Sequence, residues 1–221
     1  MSSKTQEKNS RRKLLSAEAK RVLSLLDAGP PLNNGITRDE NGRPFFSDRH
    51  ADFSISHSGE MAAVSLVSGG NLKTGCDIEY AAPRTNAKEI AERYFSTREA
   101  AWIFPPEGNS ESPMDFFKIW TLKECYLKLR GFSVFDMQKA PSFIDDEGRF
   151  AFCREVSSPL SFYVYRLEGS SGEVYILSAA IEGDEQVQPG IRWFSQSFFT
   201  ASSIVEIKAA PSPTMTVSPK M

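Results

Sequence analysis

The chain has 221 residues, with 26 basic and 28 acidic side chains and a net charge of −2. Its 40% hydrophobic content excludes a wholly disordered chain, and its charge balance lacks the basic excess typical of nucleic-acid-binding proteins. The three cysteines form no CxxC pair and no apolar run approaches the roughly 18–20 residues of a membrane span, so we expect a cytoplasmic, monomeric protein with no nucleic-acid or membrane partner.

The first ten residues are polar, and we expect them to be mobile. The first predicted element is a helix from Ser10 to Asp27. Its leucines and valines recur at near-helical spacing. Arg12 and Lys13 lie at its predicted start, where cations oppose the helix dipole and have no local stabilising role. A binding role and a purely solubilising role both stay open for these two cations.

A turn and three short strands are predicted next. Asn41-Gly42-Arg43-Pro44 is a strong turn signal. Alternation of apolar and polar residues predicts a strand at Phe53–His57. Two further strands are predicted after glycine turns, an apolar one at Met61–Val67 and another at Lys73–Glu79. Their spacing favours an antiparallel meander.

The middle of the chain is predicted to be helical. One short helix covers Asn86–Tyr94, and a second begins at the capping box formed by Ser96 and Glu99. A third runs from the N-cap Ser112 to Arg130 and ends at Gly131.

Strands are predicted again after Gly131. The first two, Ser142–Asp145 and Arg149–Phe152, flank a turn, and the last two, Leu160–Leu167 and Val174–Ile181, form a hairpin candidate. Residues 183–190 look like a linker, and the tail that follows has no assigned role.

Two carboxylates at alternate positions of one strand are the first chemical signal. Asp77 and Glu79 are two residues apart, so they point to the same face of a strand while Ile78 points to the other. Like charges side by side favour a cation between them, and hard oxygen ligands favour Mg²⁺ or Mn²⁺. A solvated strand end is the alternative.

The third helix carries the second signal. Trp120, Glu124 and Lys128 recur every four residues and therefore share one face. Taken alone, the pattern is typical of an amphipathic helix with a surface ion pair. Beside the strand carboxylates, a third acid and a lysine would make a site for a metal ion and a phosphate.

Smaller signals surround these two. His57 follows Ser56 at a strand end, a setting that suits an anion such as phosphate as well as a structural histidine. Arg43 lies on a turn whose backbone N–H groups are also suited to an anion.

Taken together and in this order, four segments resemble the 4′-phosphopantetheinyl transferases, and most closely the larger, surfactin-synthetase-activating type. They are Gly42-Arg43-Pro44, Phe53-Ser-Ile-Ser-His-Ser58, Thr74-Gly-Cys-Asp-Ile-Glu79 and Trp120-Thr-Leu-Lys-Glu-Cys-Tyr-Leu-Lys128. The resemblance covers about Arg12 to Ile181. The two last segments and the Ser-His-Ser match are fairly specific, and the Gly-Arg-Pro turn is looser.

The resemblance implies a role for each matching residue. The family's metal-binding acids fall on Asp77, Glu79 and Glu124, and its helical lysine falls on Lys128. Its coenzyme A contacts fall on Ser56, His57, Arg43 and Arg12, with Lys13 beside Arg12 and Lys123 as a further candidate.

The resemblance also implies an α+β fold of two similar α/β halves in a pseudo-twofold arrangement, with antiparallel sheets packed against helices. We expect a shortened first half at residues 1–70, a second half carrying the metal site at 71–183, and the tail at 184–221. Members of the larger type have several dozen more residues before the first helix, including further coenzyme-binding lysines. We therefore expect either a truncated start or a weaker grip on the coenzyme 3′-phosphate.

The implied reaction is a Mg²⁺-dependent transfer of phosphopantetheine from coenzyme A to a serine of an acyl or peptidyl carrier protein. Glu124 and Lys128 would be the catalytic residues, and the proton acceptor stays open between Glu124 and a metal-bound hydroxide. Two alternatives remain at this point: a non-catalytic or inactivated carrier-binding module, and a metal-dependent nuclease. The nuclease is disfavoured because Tyr80 and Ala81 follow Glu79 where such enzymes place a lysine.

Overall fold

The computed structural model describes residues 3–26, 35–69, 71–105, 113–150, 160–168, 172–183 and 215–216. The α-helices in this part of the chain are α1 Ser3–Leu26, α2 Ala87–Tyr94, α3 Thr97–Ile103 and α4 Pro113–Arg130, and a 3₁₀ helix covers Val134–Lys139. The strands are β1 Ile36–Arg38, β2 Pro44–Phe46, β3 Ala51–Ser58, β4 Met61–Ser68, β5 Lys73–Tyr80, β6 Leu160–Glu168, β7 Val174–Glu182 and β8 Met215–Thr216. The predicted α+β class is confirmed.

Antiparallel pairing builds three separate sheets from these strands. Two of them are the pairs β1–β2 and β3–β4, and the third is a four-stranded sheet in the order β5-β7-β6-β8. The predicted hairpins β3–β4 and β6–β7 are confirmed. The predicted meander is wrong in its third strand, because β5 leaves the first hairpin and aligns with β7 from Lys73 opposite Glu182 to Tyr80 opposite Tyr175.

The first helix differs from its prediction. It begins at Ser3, so the residues from Ser3 to Asn9 are helical and Lys13 lies well inside the helix. Arg12 and Lys13 therefore do not lie at a helix start, and this prediction is wrong. The buried face of α1 consists of Ala19 and Leu23, one turn apart, whereas Leu25 is 55% exposed. Leu23 packs with Phe46 and Phe53 against the β3–β4 hairpin.

The later helices agree with their predicted signals. Ser96 accepts a hydrogen bond from the Glu99 backbone, and the Glu99 side chain accepts one from the Ser96 backbone, so the capping box is confirmed. Helix α4 ends at Gly131, whose φ of 69° is the left-handed conformation that glycine adopts most readily. The predicted strands around Asp145 reduce to one bridge between Ile144 and Phe150. Three predictions lie outside the described residues: the Ser112 cap, residues 151–152, and the linker and tail apart from 215–216.

Helix α4 lies across the face of β5, and Gly75 makes this possible. A Cβ atom at position 75 would lie 2.1 Å from the Cys125 carbonyl oxygen and 2.7 Å from the Leu129 nitrogen. Only glycine therefore allows the helix backbone to approach the strand this closely. The contact brings the Glu124–Lys128 turn of α4 over the strand residues that follow Gly75.

Candidate active site

Two serines of β3 join the first hairpin to the carboxylates of β5. Ser56 Oγ donates to Asp77 Oδ1 at 2.7 Å, and Ser58 Oγ donates to Glu79 Oε2 at 2.8 Å. Both acids point to the same side of the strand, while Ile78 is buried in a hydrophobic cluster on the other side. The strand alternation predicted from the sequence is confirmed here.

Helix α4 adds a lysine and a third carboxylate to this face. Lys128 Nζ donates to Asp77 Oδ1 at 2.6 Å and to Ser56 Oγ at 2.9 Å. It lies 4.0 Å from Glu124 Oε2, one turn earlier on the same helix. The structure thus brings Asp77 of β5 together with Glu124 and Lys128 of α4, which are far from it in the sequence.

The charge of this group is unbalanced, because three partly or fully buried acids outnumber the two cations that act on them, Lys128 and, for Glu79 and Glu124, Arg84. Burial, followed by the charge of Asp77, raises the pKa of Glu124 to about 7. The same two causes raise the pKa of Glu79. Burial alone would lower the pKa of Lys128, but the charges of Asp77 and Glu124 raise it, so this lysine is protonated at neutral pH. The protein therefore holds excess negative charge at this point.

Asp77 shows most directly that a cation fits. The residue is 3% exposed, and its Oδ2 atom is buried without a hydrogen-bond partner. A buried carboxylate oxygen without a partner is costly, and a hard divalent cation would satisfy it. In the described ranges, no three acidic, histidine or cysteine side chains are already arranged as a cation cage. The donor set fits Mg²⁺ or Mn²⁺, although Lys128 and Ser56 occupy the other oxygen of Asp77.

A cavity of about 240 Å³ opens beside this group. One wall is the turn that contains Gly42 and Arg43, a second is β3 at Phe53–Ile55, and a third is the end of α4 at Lys128 with Phe132 beyond it. Because Lys128 belongs both to the cavity wall and to the charged group, a ligand in this cavity would lie against the lysine.

Arg43 is engaged with protein atoms at this wall. Its Nη1 and Nη2 atoms donate to the two carboxylate oxygens of Asp52 at 2.9 and 2.7 Å. Nη2 also donates to the Thr74 carbonyl at 3.1 Å, and Nε donates to the Lys128 carbonyl at 3.0 Å. A guanidinium has five N–H groups, so four of them are used. The predicted coenzyme contact of Arg43 stays a prediction.

Three other predicted contacts have different positions. His57 follows Ser56 in β3 and therefore points to the opposite face, on the side of Phe53 and Ile55, which pack near α1. Lys13 is exposed on α1. Arg12 lies in the same helix, but its side chain is outside the described part of the structure. Coenzyme contacts of these residues stay predictions.

Lys123 requires a correction. It is 2% exposed, and its Nζ donates to the Pro141 carbonyl at 3.1 Å and lies 3.0 Å from Glu99 Oε2. An ammonium group buried against an acid of α3 is not available to a coenzyme phosphate. Its sequence neighbour Glu124 points to the site, but a step of one residue turns the helix by about 100°, so Lys123 points into the core.

Sequence reasoning missed three residues that contact or face the site. Ser58 binds Glu79, and Arg84 acts electrostatically on Glu79 and Glu124 while its guanidinium lies 5.6 Å from the Trp120 ring. Asp52 binds Arg43. Ser58 follows the serine–histidine pair in a run that the sequence singled out, so it was within reach. Nothing in the sequence marks Arg84 or Asp52, because their partners come from other elements.

Helices in the described part of the chain are too short or too polar to cross a membrane.

Comparisons with known proteins agree with the site. Residues 73–180 match the family model of the 4′-phosphopantetheinyl transferase superfamily. The chain is 37% identical over 104 residues to the 4′-phosphopantetheinyl transferase AcpT of Salmonella typhimurium, covering 47% of this chain and 53% of that protein. It is 32% identical over 99 residues to 4′-phosphopantetheinyl transferase HetI of a Nostoc species (42% and 40%) and 27% identical over 183 residues to a phosphopantetheinyl transferase of a Thraustochytrium species (74% and 62%).

The chain spans about half the length of most of the curated relatives it matches. The matched region contains β5, α2, α3, α4 and most of the β6–β7 hairpin, and therefore all the acids of the site together with Lys128. The chain thus contains, over residues 73–180, a domain of the 4′-phosphopantetheinyl transferase superfamily.

Proposed function

We propose that the protein transfers the 4′-phosphopantetheine group of coenzyme A to a serine of an acyl or peptidyl carrier protein and releases adenosine 3′,5′-bisphosphate. The observation that carries this proposal is a group of three carboxylates around one lysine, Lys128, which also lines an open cavity. Carrier protein, coenzyme and metal are parts of the proposal, supported by the relatives' activity and by the chemistry of these residues.

Asp77, Glu79 and Glu124 would hold Mg²⁺ or Mn²⁺ in the working enzyme. The unpartnered Oδ2 of Asp77 and the raised pKa values of the two glutamates support this assignment, because a cation would relieve both. When bound, such an ion neutralises charge on the pyrophosphate of the coenzyme.

Lys128 and Glu124 would carry the chemistry on the protein side. Phosphoryl transfer depends mainly on positioning and charge neutralisation, and a protonated lysine at the cavity wall can hold the transferring phosphoryl group. Glu124, one turn before Lys128 on the same helix, is the candidate acceptor for the proton of the attacking carrier serine. In this assignment Asp77 keeps Lys128 protonated and in place.

The cavity beside Lys128 is the proposed coenzyme site. Gly42, Pro44 and Ser54 line it together with Arg43, and Ser56 contacts Lys128 at its edge. His57, Arg12 and Lys13 remain candidates for the nucleotide end. We propose further that the chain has two similar halves, at 1–70 and 71–183, as in the larger type of the family; β3–β4 is a hairpin of the first and β6–β7 a hairpin of the second.

The direct test incubates the full chain with coenzyme A, Mg²⁺ and either a fatty-acid-type or a peptidyl-type apo carrier protein. We expect the carrier to gain the mass of one phosphopantetheinyl group by mass spectrometry, at a rate that depends on Mg²⁺. A carrier whose acceptor serine is replaced by alanine is the control for non-specific attachment.

Coenzyme binding distinguishes the alternative of a non-catalytic module. A ligand that binds only the folded state raises its stability by RT ln(1 + [L]/Kd), about 2.7 kcal/mol at a hundredfold excess over Kd. Thermal stabilisation by coenzyme A without any carrier modification would favour the non-catalytic module. Absence of both effects with every carrier would reject the proposed function.

A further inference from the structure

We propose that Asp52 is a positioning residue for the transfer reaction, acting through Arg43 to hold Lys128 and the β5 carboxylates in register. The proposal rests on the proposed function for its kinetic consequences. Its structural content, that Asp52 fixes Lys128, can be measured without any activity.

The Asp52 carboxylate lies where three segments of the chain meet. It accepts two hydrogen bonds from the Arg43 guanidinium and a third from the Thr74 backbone nitrogen at 2.8 Å. Its side chain is 15% exposed and that of Arg43 is 18% exposed, so the pair is largely shielded from water. A shielded, two-point arginine–carboxylate contact fixes both the distance and the orientation of its partners.

Arg43 extends this contact to the two elements that carry the site. Its Nη2 donates to the carbonyl of Thr74, three residues before Asp77 on β5. Its Nε donates to the carbonyl of Lys128 itself, at the last turn of α4. The same guanidinium is therefore bound to the backbone of the lysine whose side chain binds Asp77.

This arrangement assigns Arg43 a different role from an electrostatic clamp on the coenzyme. A clamp requires a positive charge with free donors, whereas four of the five N–H groups of Arg43 are used by protein acceptors and its charge is balanced by Asp52. A planar fork that makes all these contacts cannot be replaced by a lysine of equal charge. The two roles therefore predict opposite results for Arg43→Lys.

The kinetic experiment compares Asp52→Asn, Arg43→Lys and the double variant, using the full chain with coenzyme A and an apo carrier. We expect each single variant to lower kcat by roughly tenfold, because small displacements of a phosphate-holding lysine are costly. The KM for coenzyme A should change by less than about twofold, and the double variant should be no slower than either single variant. Asp48→Asn is the matched control, since Asp48 makes an exposed ion pair with His50 in the same region.

The second experiment needs no activity. It measures unfolding of the wild type, Asp52→Asn, Lys128→Met and the double variant by chemical denaturation. If Asp52 holds Lys128 in place, the two substitutions should not act independently. The double variant should lose at least about threefold less in its unfolding constant than the product of the two single losses, a difference above the limit for independent sites.

Three results would overturn the proposal. The first is independent effects of Asp52→Asn and Lys128→Met on unfolding. The second is an Arg43→Lys variant with wild-type kcat and an Asp52→Asn variant that binds coenzyme A more tightly, which would make Arg43 a phosphate clamp restrained by Asp52. The third is multiplicative loss of kcat in the double variant.

Two outcomes would leave one of the two experiments to decide. If Asp52→Asn does not fold, Arg43→Lys alone decides between the two roles. A wild-type protein without transfer activity rejects the proposed function and leaves the unfolding experiment to test the contact.

Discussion

Helix α4 carries two acid–lysine groups that differ in their balance of charge. Lys123 faces one acid, Glu99, which is fully buried and also accepts hydrogen bonds from the backbones of Ser96 and Phe143. Lys128, less than two turns later, is surrounded by three acids, and one oxygen of Asp77 has no partner. The first group is satisfied by protein atoms, and the second is not.

The difference supports the proposal that the group around Lys128 binds a ligand and that the group around Lys123 has a structural role. A buried ion pair with complete hydrogen bonding holds elements together, and here it ties α3 and the Pro141 segment to α4. A group with surplus charge and an unpartnered oxygen costs stability unless something else completes it. Sequence position alone does not distinguish them, since both lysines lie in the same nine-residue motif.

The largest expected effect is on the transfer rate, and it comes from the unbalanced group, which consists of Lys128 and the acids Asp77, Glu79 and Glu124. Asp77→Ala and Glu124→Ala should each lower the transfer rate by at least about 10³-fold at saturating Mg²⁺ and coenzyme A, since each removes a proposed metal ligand. Both variants should remain folded, and Glu124→Ala should be no less stable than the wild type because it removes a repelling charge. Turnover near the wild-type level in either variant would reject the metal assignment.

The balanced group of Lys123 and Glu99 should affect stability and leave the transfer rate nearly unchanged. Lys123→Met leaves the Glu99 charge buried without its cation and should lower the free energy of unfolding by about 3–5 kcal/mol. The transfer rate per folded molecule should stay within about twofold of the wild type, because Lys123 does not face the site.

Restoring the balance provides the control for this second prediction. The double variant Glu99→Gln/Lys123→Met removes both charges and should recover part of the lost stability in denaturant unfolding. A stable Lys123→Met protein with impaired coenzyme binding would return Lys123 to the coenzyme site.

An effect of intermediate size is expected on the pH dependence of the free energy of unfolding, and it should come from Glu124 in the group around Lys128. The folded-state pKa of Glu124 is raised from 4.5 to about 7, so the folded state binds a proton that the unfolded state has released between these values. Stability therefore falls as pH rises through this window, by at most about 1.4 kcal/mol per pH unit. Denaturant unfolding at intervals from pH 4.5 to 7 measures the slope.

Two comparisons make this prediction specific. Glu124→Gln should flatten the slope, and saturating Mg²⁺ should stabilise the wild type more at pH 7 than at pH 5 because the carboxylates bind the ion only when ionised. Equal slopes for the wild type and Glu124→Gln would show that Glu124 does not titrate in this range.

The features of the site that lie within a single strand or helix could be predicted from the sequence. The pairing of Asp77 with Glu79 follows from strand alternation, and the shared face of Glu124 and Lys128 follows from helix periodicity. The capping box at Ser96 and the stop at Gly131 are equally local. The resemblance of the motifs to those of the 4′-phosphopantetheinyl transferases then predicted that these elements lie together in one site.

The remaining features depend on contacts between distant elements. The predicted coenzyme contact of Lys123 is wrong because its partner, Glu99, comes from another helix. The sequence already explained Glu99 as a capping residue, so nothing pointed to a second partner. The pairing of β5 with β7 joins strands about a hundred residues apart, which periodicity does not encode. The contact of Asp52 with Arg43 is of the same kind.

The smallest expected effect concerns the carrier protein, and it extends the comparison to the end of α4. Phe132 is 41% exposed just after the helix, and Lys139 Nζ lies 4.8 Å from the centre of its ring. An exposed aromatic ring beside a cation is suited to an acidic helical partner, which the family resemblance implies for carrier proteins. Phe132→Ala should therefore raise the KM for the carrier by about fivefold, or roughly 1 kcal/mol, and the KM for coenzyme A by much less.

The carrier KM should also rise with salt, because the net charge of −2 leaves only local cations to attract an acidic partner. Leu25→Ala is the control, since it removes a similarly exposed apolar side chain from α1. Equal increases in both KM values would mean that Phe132 acts through the cavity it lines, and unchanged values would place carrier docking on another surface.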